Sequence, residues 1–169
     1  MTRSFLTSFF ILFCTVLIES AILSNITVLP ALPDLLLICV LYISCLNGKT
    51  AGVASGFVSG LLLDFISGAP LGFNCLFRTI IGYIAGFIGQ SINFTGIIMP
   101  AVICGAGTLL KAILIWIIAH CYPGIFNAGL SVFNIEFLFE ILFNIVLGPF
   151  IFKFLSLFRS TISLRPEDK

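Results

Sequence analysis

Two apolar segments of this chain carry a small residue or a charge at every fourth position: Gly52-x3-Gly56-x3-Gly60-x3-Asp64 and Arg78-x3-Gly82-x3-Gly86. A spacing of four places each set on one face of an α-helix. The short turn Ser67-Gly68-Ala69-Pro70-Leu71-Gly72 joins them, so the two helices must run antiparallel with their stripes in position to meet. In lipid, helices gain no hydrophobic drive to associate, and small residues at this spacing mark where backbones approach closely. An ionisable residue on such a face points into the protein. Counted from the turn, Arg78 lies deeper than Asp64 by about 4 to 5 Å at the helical rise, within reach of a guanidinium on its stem. The expectation is an Asp64–Arg78 ion pair. On the plainest reading it locks a helical hairpin and does nothing further.

Lipid as the solvent follows from composition. Sixty percent of residues are hydrophobic and 9% charged, with a mean hydropathy of +1.23, which marks an integral membrane protein. The 169 residues leave room for five or six spans of about 20 residues and for no separate soluble domain, so residues 1–169 read as a single membrane domain. A formal net charge of +1 gives no reason to expect nucleic acid as a partner. The six cysteines, Cys14, Cys39, Cys45, Cys75, Cys104 and Cys121, are scattered without a C-x-x-C and accompany a single histidine, which signals neither a zinc site nor a disulfide framework. They read as small packing residues. The apolar run Phe5 to Ile18 behind Arg3 resembles a signal peptide in outline, but no A-x-A cleavage pattern follows, and it reads as a first membrane anchor.

The pattern predicts an all-α bundle of six transmembrane helices near residues 5–24, 34–46, 51–66, 71–92, 96–119 and 135–158, with a polar tail at 160–169. The loops Asn25 to Pro33 and His120 to Asn134 lack Lys and Arg, whereas Arg3, Lys49, Lys153, Arg159, Arg165 and Lys169 fall on the opposite side. By the positive-inside rule both termini are cytoplasmic and the span count is even. The second and third spans, about 13 and 16 residues, are short for a bilayer about 30 Å thick, and such spans are usually shielded by neighbours or sit where the membrane thins. Paired short spans also occur at the binding sites of transporters.

With this topology Glu19, Asp64, Arg78, Lys111, Glu136 and Glu140 all fall toward the outer side. A charge at the centre of a span costs about 2.5 to 3.5 kcal/mol, so these groups must pair or face a wet cavity. Glu136, Glu140, Asn144 and Gly148 recur every four residues on the last span. That stripe cannot face lipid, and Lys111 is its natural partner: Lys111 is expected beside Glu140, with Glu136 closer to water. Paired carboxylates can do acid/base chemistry, yet no nucleophile stands beside a base here, His120 sits at a span end, and Gly52 to Gly60 lacks the Lys-Ser/Thr of a phosphate-binding loop. Neither an enzyme nor a cofactor is expected. Lys153, Arg159 and Arg165 are placed to meet anionic lipid headgroups.

Pro33-Asp34-Leu35-Leu36-Leu37-Ile38, then Gly48 and Gly52, then Gly56-Phe57-Val58-Ser59-Gly60-Leu61-Leu62-Leu63-Asp64-Phe65-Ile66-Ser67-Gly68-Ala69-Pro70-Leu71-Gly72 and Gly82-Tyr83 resemble the bacterial rod shape-determining MreD family. The resemblance covers about Pro33 to Gly89. It implies a non-enzymatic, multi-pass protein of the bacterial inner membrane that binds the bitopic protein MreC. Through MreC it would link MreB filaments to the transpeptidase and glycosyltransferase of lateral peptidoglycan synthesis. It further implies a six-helix fold similar to the substrate-binding S-components of energy-coupling-factor vitamin transporters. A vitamin-binding transporter subunit is therefore the rival reading, and lipid or lipid-linked precursor handling a third. Asp34, Gly52, Gly56, Gly60, Asp64, Ser67, Gly68, Gly72, Arg78, Gly82, Gly86, Lys111, Glu136 and Glu140 are the candidate structural and interaction residues, and a homodimer is left open.

Overall fold

A computed structural model describes residues 2–23, 31–68, 70–89, 96–121 and 134–163, and among these it is helical without strands. Helix α1 (Thr2–Ile18) continues into a π-helical turn, Glu19–Leu23. There follow α2 (Leu35–Asn47), α3 (Lys49–Ser67), α4 (Phe73–Gly89), α5 (Ile98–Cys121), α6 (Ile135–Ser156) and a single closing turn, α7 (Arg159–Ile162). The loop sequences at 24–30 and 122–133, with Tyr122 and Pro123, and the basic residues Arg165 and Lys169 lie outside the described residues.

Helix α2 is the shaft of the bundle. All ten residues from Leu36 to Cys45 are buried, so no face of it meets solvent or lipid. Its 13 residues rise only about 20 Å, well short of a bilayer's apolar core. Such a helix is tolerable because its neighbours wrap it on every side. The outer faces of those neighbours are apolar: Phe9, Phe10, Phe57, Phe87, Ile98, Trp116, Leu138 and Phe150 are all exposed. An apolar exterior around a polar-centred interior is the arrangement that lipid favours and water does not. Four helices have the length and apolarity to cross a membrane, within Ser4–Ala21, Lys49–Ser67, Ile98–Cys121 and Ile135–Ser156, and α2 and α4 are shorter apolar helices.

The two glycine stripes mesh as a hairpin. A Cβ on Gly52 would overlap the Gly82 carbonyl and one on Gly82 would overlap that of Gly52, while Gly56 and Gly60 lie against the backbone of Arg78 and Cys75. Gly86 and Gly89 extend this contact to Gly48 and Cys45. The stripes are thus consumed inside the protein and present no free face to a partner. At the hairpin's turn Gly68 ends α3 in the left-handed region (φ 66°), and Gly72 adopts φ 95° just before α4. A side chain would be strained at either position.

The ends of the described chain meet. Ser4 Oγ donates to the Ser163 carbonyl at 3.0 Å, and Asn47 Nδ2 to the Ile162 carbonyl at 3.2 Å. Lys49, whose ammonium lies 4.3 Å from the Phe87 ring centroid, belongs to the same end of the bundle. So do Lys153 and Arg159, beside the last turn of α2.

Candidate functional site

The first turn of any helix leaves backbone N–H groups without partners. In α2 these groups lie deep in the bundle, and carboxylates answer them. Leu37 N donates to Asp34 Oδ1 at 2.8 Å, and Leu36 N donates to Glu19 Oε2 at 3.0 Å. Asp34 is the N-cap, 4% exposed, and its own N–H is held by Asn144 Oδ1 at 3.0 Å.

Two cations converge on the same carboxylate. Arg78 Nη2, on a residue 1% exposed, donates to Asp34 Oδ1 at 2.9 Å and Oδ2 at 3.0 Å. Lys111 Nζ donates to Asp34 Oδ2 at 2.7 Å and to Glu140 Oε1 at 2.7 Å. Asn144 Nδ2 donates to Thr108 Oγ1 at 2.9 Å, and the Thr108 hydroxyl in turn donates to the Cys104 carbonyl at 2.8 Å. A carboxylate offers about four lone-pair sites, and Leu37, Arg78 twice and Lys111 occupy them all. Arg78 Nε and Nη1 are accordingly left without an acceptor among the described residues. The cluster draws on α1's π-turn, α2, α4, α5 and α6, so one polar knot ties five segments.

The structure corrects one expectation. Arg78 pairs with Asp34, not with Asp64. Asp64, 1% exposed, accepts from Gly72 N (2.8 Å), Asn74 N (3.0 Å), Asn74 Nδ2 (2.8 Å) and Cys75 N (3.3 Å). The donors freed at the start of α4 stand directly across the turn from the end of α3, and a short carboxylate there is saturated locally. Nothing remains of it for a guanidinium a turn deeper, which finds Asp34 on the adjoining helix instead.

Other site residues fall as follows. Lys111 has the expected partner, Glu140, and Asn144 and Gly148 continue that stripe inward, Gly148 against Cys104. Glu136 is exposed on the first turn of α6, away from the knot, and Ser67 is the exposed last residue of α3. His120 stacks on Trp116 at 5.8 Å between ring centroids, and the six cysteines are unpaired thiols. Sequence reasoning placed Asp34 at a helix start without its ionic role, and missed Thr108. The available signal was an Asp after Pro heading a span too short to reach water, where a cap must also be neutralised.

A bundle with an apolar exterior, a sheathed central helix and ion pairs gathered in its interior defines a helical membrane protein. The family model for rod shape-determining protein MreD matches residues 2–158. The chain belongs to the MreD family and is therefore a cell-shape membrane protein of the elongation system. No curated protein and no solved structure matches it.

Proposed function

We propose that the protein is a non-enzymatic scaffold of the bacterial inner membrane that binds MreC and so helps couple MreB filaments to the transpeptidase and glycosyltransferase of lateral wall synthesis. The reading includes six spans, an S-component-like arrangement and both ends of the described chain on the cytoplasmic side. The observation that carries it is the use of the interior groups: the knot's cations are paired with its own carboxylates, and the glycine stripes pack against each other. The surface between the two ends of the bundle, where a partner's membrane helix would lie, is apolar.

That face contains a shallow groove of about 480 Å³ along α5 and α6, with Ala101, Val102, Gly105, Ala106 and Leu109 on one side and Ile141 and Ile145 on the other. Small residues flanked by branched apolar ones admit a transmembrane helix closely. MreC supplies such a helix. A photo-crosslinking residue at Val102 or Leu109 should yield an MreC adduct in growing cells, and one at exposed Leu6 on α1 should not. An adduct from Leu6 alone, or an adduct only to a second copy of this chain, would refute this docking face. Co-purification of a vitamin with an ATPase module would turn the assignment to the transporter reading.

A further inference from the structure

Where α2, α5 and α6 come together at the basic end of the bundle they enclose a cavity of about 370 Å³, lined among others by Tyr42, Leu46, Ile97, Phe152, Lys153 and Arg159. This volume lies within the usual range of small-ligand pockets, about 300 to 1,000 Å³. Its wall is firm: the Tyr42 and Phe152 rings meet edge to face, 5.2 Å between centroids, and both residues are buried. Its rim is cationic. Every described ion pair lies at the opposite end of the bundle, in the knot around Asp34, so Lys153 and Arg159 have no carboxylate partner among the described residues. Phe154, Leu157 and Phe158, all exposed, occupy the same stretch of chain as these two cations. An apolar-walled recess, an uncompensated pair of cations and an adjoining apolar surface together match one kind of ligand, an amphiphile with a negative head.

We propose that this cavity is a binding site for the phosphate headgroup of an anionic glycerophospholipid, held by Lys153 and Arg159, with its acyl chains along the exposed apolar surface of α6. The site needs the chain to lie in a bilayer with this end at the headgroup level; it does not depend on which partner docks along α5. Juxtamembrane basic residues attract anionic lipid. A shaped recess adds stoichiometry to that attraction.

The test uses the full chain in mild detergent, with native mass spectrometry and thermal unfolding read against phosphatidylglycerol, phosphatidylcholine, glycerol 3-phosphate and inorganic phosphate. One phosphatidylglycerol should be retained per chain, at least about tenfold more tightly than phosphatidylcholine, which corresponds to about 1.4 kcal/mol. The Lys153→Gln/Arg159→Gln variant should lose that preference, and Lys153→Arg should keep it. Both side chains are exposed, so the double variant should unfold at the same temperature without lipid and still capture MreC. Equal retention of the two lipids overturns the proposal, as does a preference that survives in the double variant. Displacement of the lipid by inorganic phosphate at matched concentration would show a free-anion site and also overturn it. If Glu167→Gln/Asp168→Asn is needed before any lipid binds, the chain's own acidic tail is the occupant and the proposal fails.

Discussion

Asp34 is the residue on which the interior depends. It caps α2, neutralises Arg78 and shares Lys111 with Glu140, so its removal strands the Arg78 guanidinium and the Leu37 N–H at once and leaves Lys111 to Glu140 alone. Breaking a buried pair by deleting one member costs about 3 to 5 kcal/mol, because the remaining charge is left uncompensated. Asp34→Ala is expected to lose stability in that range, measured by unfolding in detergent. Asp64→Ala should lose less, nearer the 1 to 2 kcal/mol or so of a helix cap. A double-mutant cycle separates the two carboxylates: Asp34 and Arg78 should couple by about 1 to 3 kcal/mol, while Asp64 and Arg78 should couple by less than about 0.5. The reverse ranking would restore the ion pair expected from the stripes alone. Lys111 with Glu140 was legible because both lie on long helices joined by one loop. Asp34 with Arg78 was not, because their contact depends on how α2 is seated among its neighbours.

At the scale of the element, α2 and the α3–α4 hairpin solve different problems. A 13-residue span would expose polar ends to hydrocarbon if it stood at the surface, and burial of its whole circumference removes that problem. The hairpin instead depends on backbone contact, where no side chain can yield. Gly82→Ala should therefore separate α3 from α4 and cost about 1 to 3 kcal/mol, the usual penalty of overpacking. Gly105→Ala makes an instructive control. Its added methyl meets only the flexible end of Ile145, at 3.1 Å, and should cost less. Comparable losses in the two variants, read by the same unfolding assay, would show that the hairpin is looser than described. The glycine pattern revealed this interface in advance, since a run of small residues at a spacing of four leaves few alternatives to close helix contact.

Across the whole molecule, charge is divided along the bundle's length. The described carboxylates Glu19, Asp34, Asp64, Glu136 and Glu140 lie toward one end, with Arg78 and Lys111 among them, and Lys49, Lys153 and Arg159 lie at the other. This division is what the positive-inside rule reads in the proposed orientation, basic end toward the cytoplasm. In a variant with its six native cysteines replaced, Asn134→Cys should be labelled by an impermeant thiol reagent from outside the inner membrane, and Ser163→Cys only after that membrane is opened. Labelling of both from one side would exclude a membrane crossing by α6.

What the sequence determined by itself was whatever depends on neighbours along the chain. Hydropathy specified lipid as the solvent and helices as the elements, because only satisfied backbones enter hydrocarbon. The glycine period specified the hairpin, and the basic residues specified an end. Only the tertiary structure decided which carboxylate meets Arg78, that Asp64 serves as a cap, and that α2 runs through the centre. The pairing of Arg78 rests on contacts between segments 44 or more residues apart, Arg78 with Asp34 and Lys111 with Asp34, whereas Asp64 is held by donors 8 to 11 residues along its own turn. No local pattern encodes that pairing, because several charges of suitable sign lie at similar depth and only the seating of the helices selects among them.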